Sequence, residues 1–483
     1  MHFKILKVNF LLIALVSWFG AIAQDPINRL YGTYSSETGK SGLILADSTI
    51  YAMGTSSAFT SLSSQVYLIK TDKSGNLLWT KYYGGTGVDD GIDMYVDVAL
   101  DTSIYILSNS FINFSKGYDV KLTKVDKSGN LIWEKNYGTS DWDVPSKMIK
   151  TSSGLFAICG KTYGNSLGLA DGMLLFLDEN GDSLSFQNFG DTQDNFLLDL
   201  VEKTIDSIAV CGETYTASGK KRGWILEMNI ETGAYKNSFF GSVYNRTFNA
   251  IKMYPNGNYM IGLTTDSTGI TQTDMYLELL DKNSLAVTFE IPILQANDEV
   301  MIDVEIINNQ FCFMGLTKTY GLGGWEVVVY RFDSVGAYKG SYTFGTSGDD
   351  YAADLIKNNN GTFAIVGTTG GAFGVTDLWV VNVDSLYQND DVLDSQLDIN
   401  SIHENIYKND EYVVFPNPFN DQLSIVSNLL PTEIKLVDGL GRVLANSTNS
   451  KTLTVGSIPS GAYYLKVSFE NYPSVTKCVI KTR

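Results

Sequence analysis

The chain has 483 residues, enough to bury a large core, and 44% of them are hydrophobic. Its 35 basic and 53 acidic side chains give a net charge of −18. This charge argues against nucleic acids and anionic membrane surfaces as partners, because both bind basic patches. The two histidines are His2 and His403, so the long region between them has no means of Ser-His-Asp or Cys-His catalysis.

Residues 1–23 have the features of a secretory signal peptide. Lys4 and Lys7 precede a mostly apolar stretch over 10–19, and Ala21-Ile22-Ala23 forms a cleavage site before Gln24. No other apolar run approaches transmembrane length. We therefore predict export to the periplasm and no transmembrane segment.

Residues 24–387 repeat one unit seven times, in steps of 51 to 54 residues. A turn-forming Asp or Asn marks the units at Asp72, Asp126, Asp178, Asn229, Asp281, Asp333 and Asp384. Each unit shows four short strands and three turns, the pattern of one β-propeller blade. The seventh unit lacks its fourth strand, and residues 28–33 resemble one. We predict an all-β, seven-bladed propeller of four-stranded blades, closed into a ring by the N-terminal strand.

Two groups of residues are predicted to be structural. Large side chains stand five positions before the unit markers and are expected to pack between blades: Tyr67, Met173, Trp224, Tyr276 and Trp379. The four cysteines, Cys159, Cys211, Cys312 and Cys478, show no metal-ligand spacing, and we expect buried free thiols.

The chain after residue 387 carries a recognisable set of motifs near its C-terminus. Residues 388–411 are acidic and polar, as in a linker. In 412–483 the ordered features are Pro416-Asn417-Pro418, then Gly441 with Arg442, then Gly461 with Tyr463, and a basic end that includes Lys481. This region resembles the type A C-terminal sorting domain of the type IX secretion system. The resemblance implies an immunoglobulin-like β-sandwich, the type IX machinery as a partner, and a secreted or outer-membrane surface location.

Acidic residues recur in the segments that join one unit to the next. They are Asp89, Asp90, Asp141, Asp143, Asp191, Asp194, Asp298, Glu299, Asp349 and Asp350, and Arg246 interrupts the series. In a propeller these segments share one face near the central channel. We predict a ligand-binding face there, for a glycan or a protein. The alternative is that each Asp only caps a turn or bonds a neighbouring blade.

Three functions fit these observations. We favour a secreted or surface-displayed binding or adhesion module, acting as a monomer without catalytic residues, metal or cofactor. The second is a carbohydrate-active enzyme that uses a carboxylate pair on the acidic face, because such chemistry needs no histidine. The third is a passive surface or spacer protein.

Overall fold

The computed structural model describes residues 26–383, with gaps at 34, 61–62, 86, 99–101, 114–115, 242, 267–271, 321–323, 359–360 and 371–374, and then 394–397, 413–415, 419–426, 430–438, 442–468 and 475–481. The predicted signal peptide and the motif residues Pro416, Asn417, Pro418 and Gly441 lie outside the described residues. Across the described ranges every regular element is a β-strand. No helix there could span a membrane.

The chain enters the ring with β1 (Ile27–Gly32), which precedes the first complete blade. Blade 1 contains β2 (Glu37–Ile44), β3 (Ile50–Thr60), β4 (Ser63–Thr71) and β5 (Leu77–Tyr83). Blade 2 contains β6 (Asp89–Asp97), β7 (Ser103–Asn113), β8 (Gly117–Asp126) and β9 (Leu131–Tyr137). Blade 3 contains β10 (Asp143–Lys150), β11 (Phe156–Thr162), β12 (Asp171–Leu177) and β13 (Ser183–Phe189).

Three more blades follow the same plan, and a seventh has three strands from its own unit. Blade 4 contains β14 (Asn195–Thr204), β15 (Ser207–Tyr215), β16 (Lys221–Asn229) and β17 (Tyr235–Phe240). Blade 5 contains β18 (Arg246–Met253), β19 (Tyr259–Thr265), β20 (Asp274–Leu280) and β21 (Val287–Ile293). Blade 6 contains β22 (Glu299–Ile307), β23 (Gln310–Thr317), β24 (Glu326–Asp333) and β25 (Tyr338–Phe344). Blade 7 contains β26 (Tyr351–Lys357), β27 (Phe363–Gly370) and β28 (Thr376–Asn382).

The N-terminal strand completes blade 7, as predicted. β1 runs antiparallel to β28, and Leu30 lies opposite Trp379. A further strand, β29 (Asp394–Leu397), pairs in parallel with the other edge of β1. The last sheet therefore has the order β26-β27-β28-β1-β29. β29 lies inside the segment predicted as a linker, and it covers the edge that β1 would otherwise expose.

The hydrophobic core of the ring lies between the blades. Within the described ranges, seven buried clusters each join two neighbouring blades. Trp379 packs against blade 6 and Trp224 against blade 3, which confirms their predicted role. Cys159, Cys211 and Cys312 are buried free thiols in the same layers. The side chain of Cys478 lies outside the described residues.

The C-terminal region forms two small sheets around a core of its own. In chain order its strands are β30 (Val413–Phe415), β31 (Gln422–Val426), β32 (Glu433–Val437), β33 (Val443–Thr448), β34 (Thr452–Thr454), β35 (Gly461–Ser468) and β36 (Val475–Lys481). One sheet has the order β30-β31-β34 and the other β33-β32-β35-β36. Leu423, Leu436 and Leu465 are fully buried in the shared core. This is the small β-sandwich that the sequence predicts.

Candidate functional site

The predicted ligand-binding residues lie on one face of the propeller. Each belongs to a connection that leads from the outer strand of a blade to the inner strand of the next. Because all blades have the same strand directions, these connections open on the same side of the ring. We call this surface, formed by β5–β6, β9–β10, β13–β14, β17–β18, β21–β22 and β25–β26, the acidic-loop face.

Four of the predicted carboxylates are buried supports of this face. Asp89, Asp143, Glu299 and Asp350 are at most 2% exposed. Asp89 accepts hydrogen bonds from the Gly85 backbone N–H at 2.7 Å and the Ser110 hydroxyl at 2.6 Å. Asp350 likewise accepts from the Thr346 N–H at 2.7 Å and from the Thr369 hydroxyl. These carboxylates clamp each connection to the second strand of the next blade.

A constant spacing marks the clamp position. It falls five residues after the residue that ends or directly follows each outer strand, as in Gly84 to Asp89, Gly138 to Asp143 and Gly345 to Asp350. The same spacing places Glu37 after Gly32, and Glu37 accepts from the Thr33 N–H and the Ser56 hydroxyl. Sequence reasoning missed Glu37, although this spacing would have found it.

The other seven predicted residues are accessible to solvent. Asp141, Asp191 and Asp349 are exposed, and Asp90, Asp194, Arg246 and Asp298 are half-buried. Asp349 accepts from the Trp325 backbone N–H at 2.8 Å. The carboxylate of Asp298 lies 3.6 Å from Lys318 Nζ. The exposed carboxylates are spread over several blades, and their role as ligand contacts stays a prediction.

A second set of buried acids lies beside the clamps and was not predicted. They stand seven residues before the unit markers, near the start of each third strand: Asp119, Asp171, Asp274, Glu326 and Asp377. A Cβ placed on Gly138 would lie 2.6 Å from Asp119 Oδ1 and 2.7 Å from Asp143 Oδ2, so the two carboxyl groups share one small space. Burial raises the pKa of both, and the nearby Asp143 raises that of Asp119 further.

Charged side chains also line the central channel, a cavity of about 390 Å³. Each inner strand contains a β-bulge, and Asp93, Asp199, Asp303 and Asp354 directly follow one. Each of these aspartates accepts from a backbone N–H of the next blade, as Asp199 does from Ile251 at 2.8 Å. Lys147 lies 3.2 Å from Asp93 and offsets part of the negative charge. The channel charges therefore tie neighbouring blades together.

These buried acids predict an unusual dependence of stability on pH. Burial raises the pKa of Asp303 from its ordinary value of 3.8 to about 6, and the clamp pairs shift in the same direction. The folded state holds these protons more tightly than the unfolded chain does. Their stabilising contribution is thus full below about pH 4 and is lost as the pH rises through about 6. The aspartates that mark the hairpin turns oppose this trend. The backbone N–H of Asn130, for example, lowers the pKa of Asp126, so the contribution of that carboxylate to stability is lost as the pH falls. We expect maximal stability between about pH 4 and 6.

The substitution Asp143→Asn should weaken this dependence. The chain already has an amide at the same clamp position in blade 4, Asn195, beside the acid Asp171. We expect Asp143→Asn to raise the free energy of unfolding at pH 7.5 by roughly 1–2 kcal/mol, because an amide can donate to Asp119. Asp171→Asn, whose neighbour is already an amide, is the matched control and should gain less. Guanidinium unfolding at pH 5 and 7.5 measures both. A stability that rises steadily from pH 4 to 8 would contradict this interpretation.

Exposed aromatic side chains lie on the acidic-loop face or in the adjoining connections between second and third strands. Trp142, Tyr163, Tyr244, Tyr320 and Tyr351 are between 36% and 47% exposed. Trp142 lies over Gly117, and its backbone carbonyl accepts from the Tyr163 N–H at 2.8 Å. The rings of Tyr118 and Tyr163 contact it edge-on, with centroids 5.3 and 6.3 Å away. These contacts hold Trp142 in place on this surface.

The sorting motif is partly described. Tyr463 is buried, and its hydroxyl donates to the Pro459 carbonyl at 2.7 Å. Gly461 begins β35, and Lys481 ends β36 with its ammonium 6.0 Å from the centre of the Phe419 ring. These motif residues therefore hold the ends of two adjacent strands in the small sandwich.

The chain resembles several solved structures, one of them described as a β-propeller domain. Puromycin hydrolase is 11% identical with a TM-score of 0.49, over 89% of this chain and 58% of that one. The β-propeller domain of the Trilobed protease from Pyrococcus furiosus is 11% identical with a TM-score of 0.43, over 74% and 95%. Sqt1 from Chaetomium thermophilum is 12% identical with a TM-score of 0.43, over 73% and 99%. At this identity the likeness concerns the fold alone.

No curated protein matches the chain in sequence. The C-terminal region, however, matches a known family. Residues 413–481 match a family model described as "Secretion system C-terminal sorting domain". This range coincides with β30 to β36 and includes the predicted motif positions. Residues 413–481 are therefore a type IX secretion sorting domain, and it directs the protein to the cell surface or the medium.

Proposed function

We propose that the exported propeller is a non-catalytic binding or adhesion module, active as a monomer, that takes its ligand on the acidic-loop face. The observation that carries this proposal is the set of exposed aromatic side chains on that face, above all Trp142 at 47% exposure. Exposing large aromatic groups to water is unfavourable, and rigid aromatic groups are enriched where proteins bind partners. Carboxylates such as Asp141 and Asp349 stand beside them as hydrogen-bond acceptors.

Burial of the carboxylate clamps supports a binding role rather than catalysis. A hydrolase that uses two carboxyl groups must bring both into contact with its substrate. Asp143, Glu299 and Asp350 are fully buried and already hydrogen-bonded within the blades. The repeat places equivalent groups at most blade boundaries, which indicates a structural role.

An array of glycans and proteins, probed with the mature chain, tests this function. We expect a discrete group of ligands to be retained, without release of new reducing ends or cleaved peptides. Binding of no ligand would favour a passive spacer, and product release would favour an enzyme. Both outcomes would overturn the proposal.

A further inference from the structure

One blade boundary departs furthest from the pattern of paired acids. Between blades 4 and 5 the clamp position holds Arg246, five residues after Gly241. The partner position, seven residues before the marker Asn229, holds Arg222. Among the boundaries with a described clamp, this is the one at which arginine replaces both acids of the pair.

At this boundary there is open space where buried carboxylates lie against the glycine at other boundaries, such as the one between blades 6 and 7. At Gly345 a Cβ would meet Glu326 Oε2 at 1.7 Å and Asp350 Oδ2 at 2.7 Å. At Gly241 the nearest groups are the Arg246 methylenes at 3.5 Å or more, and φ is +85°. The result is a pocket of about 480 Å³, within the size range of small-ligand sites. Its lining includes Tyr244, Arg246, Tyr276, Glu278 and Glu290.

The charged groups in this pocket retain unused hydrogen-bonding capacity. Glu278 is 2% exposed and forms an ion pair with Arg246 through Oε1. The buried atoms Glu278 Oε2 and Arg246 Nε have no hydrogen-bond partner in the described structure. Leaving such groups unpaired costs free energy, which a bound ligand would recover. Glu290 lies directly opposite Glu278 on β21 and adds an exposed carboxylate.

Hydrogen bonds of Asn245 tie the wall of the pocket to both neighbouring blades. Asn245, between Tyr244 and Arg246, accepts from the Lys221 N–H of blade 4 at 3.0 Å. On its other side it donates to the Asp266 carboxylate of blade 5, from its backbone N–H at 2.6 Å and its side-chain amide at 2.8 Å. The connection is therefore fixed to both blades, so that little ordering would be needed on binding.

Resting on the function proposed above, we propose that this pocket between blades 4 and 5 binds one or two residues of a neutral sugar. A sugar presents hydroxyl groups that both donate and accept. It can bond the exposed Glu290 carboxylate and, with a small turn of the buried Glu278–Arg246 pair, Glu278 Oε2 and Arg246 Nε. Its C–H face can lie against Tyr244, whose ring face carries partial negative charge. Arg246 is neutralised by Glu278, and Glu290 leaves the pocket with a net negative charge. An anionic sugar is therefore disfavoured.

Calorimetric titration of the mature chain with a panel of neutral disaccharides tests this site. Parallel titrations use a uronic-acid disaccharide, a glucosamine dimer and a lysine-rich peptide. They distinguish a neutral sugar from an anionic sugar, a cationic sugar and a basic peptide. We expect a neutral disaccharide to bind and the Tyr244→Ala variant to bind about tenfold more weakly or worse. Glu290→Gln should weaken binding about threefold or more, since a charged acceptor becomes neutral. Both side chains are exposed, so these variants should fold.

Tyr338→Ala is the matched control, because Tyr338 begins the outer strand β25 after a hairpin turn on the opposite face and is 58% exposed, against 43% for Tyr244. It should change the affinity less than twofold. The site is refuted if no neutral disaccharide binds, if only charged probes bind, or if Tyr244→Ala has no larger effect than Tyr338→Ala. If ligands found on the array still bind Tyr244→Ala, this inference fails while the binding function stands. If the array shows no ligand, the binding function itself fails.

Discussion

A chain that lacks residues 413–483 is expected to remain in the periplasm of its own bacterium instead of reaching the surface or the medium. The reason is that the sorting domain at 413–481 is the part that the type IX machinery handles. The propeller itself should still fold, because its clusters contain no residue of the C-terminal core. Immunoblots of periplasm, cell surface and medium measure the distribution.

Two point variants test whether export depends on the folded core of the sorting domain or on one of its exposed side chains. Leu436→Asp places a charge in the fully buried core and should block export almost as completely as the deletion. Val443→Ala changes an exposed side chain on β33 and should leave export unchanged. Normal export of the truncated chain would show that another part of the protein carries the sorting signal.

The variant Leu30→Ala with Tyr31→Ala is expected to destabilise the whole ring. Leu30 fills the cluster between blades 6 and 7, and Tyr31 fills the one between blades 7 and 1. The Tyr31 hydroxyl also donates to the Gly75 carbonyl of blade 1 at 2.6 Å. Large-to-small changes of this kind cost about 5 kcal/mol or more together. This loss is a large part of the free energy of unfolding of a typical folded domain, which is roughly 5–15 kcal/mol.

The matched control is Leu131→Ala with Ile132→Ala, on the outer strand β9. Both side chains are more than half exposed, so the free energy of unfolding should change by about 1 kcal/mol or less. Guanidinium unfolding, followed by tryptophan fluorescence and circular dichroism, measures both pairs. An unchanged midpoint for the β1 variant would mean that the N-terminal strand does not close the ring.

The blade number and the ring closure could be predicted because each unit repeats its turn and glycine positions. The last unit ends without an outer strand, and the segment around Tyr31-Gly32-Thr33 has the sequence of one. β29 could not be predicted in the same way. Its residues Asp-Ser-Gln-Leu show no alternating pattern, and the strand forms through backbone pairing with β1.

The residues of the acidic-loop face could be predicted from the sequence. Which of them are buried and which are accessible could not. Asp89 is buried and Asp90 is not, because the side-chain direction depends on where β6 begins. Only the spacing from the preceding glycine carries this information. The bulges were also hidden, since the extra residues Lys40, Ile92 and Ser146 share no chemical type.

Hydrogen–deuterium exchange of the mature protein, with and without a ligand from the array, tests most directly whether this exported propeller binds through its acidic-loop face. We predict that a bound ligand slows exchange in the connections of that face, such as 138–142 and 241–245. The hairpin turns on the opposite face, such as 126–130 and 254–258, should be unaffected. Protection confined to those turns, or to the outer strands, would contradict this assignment.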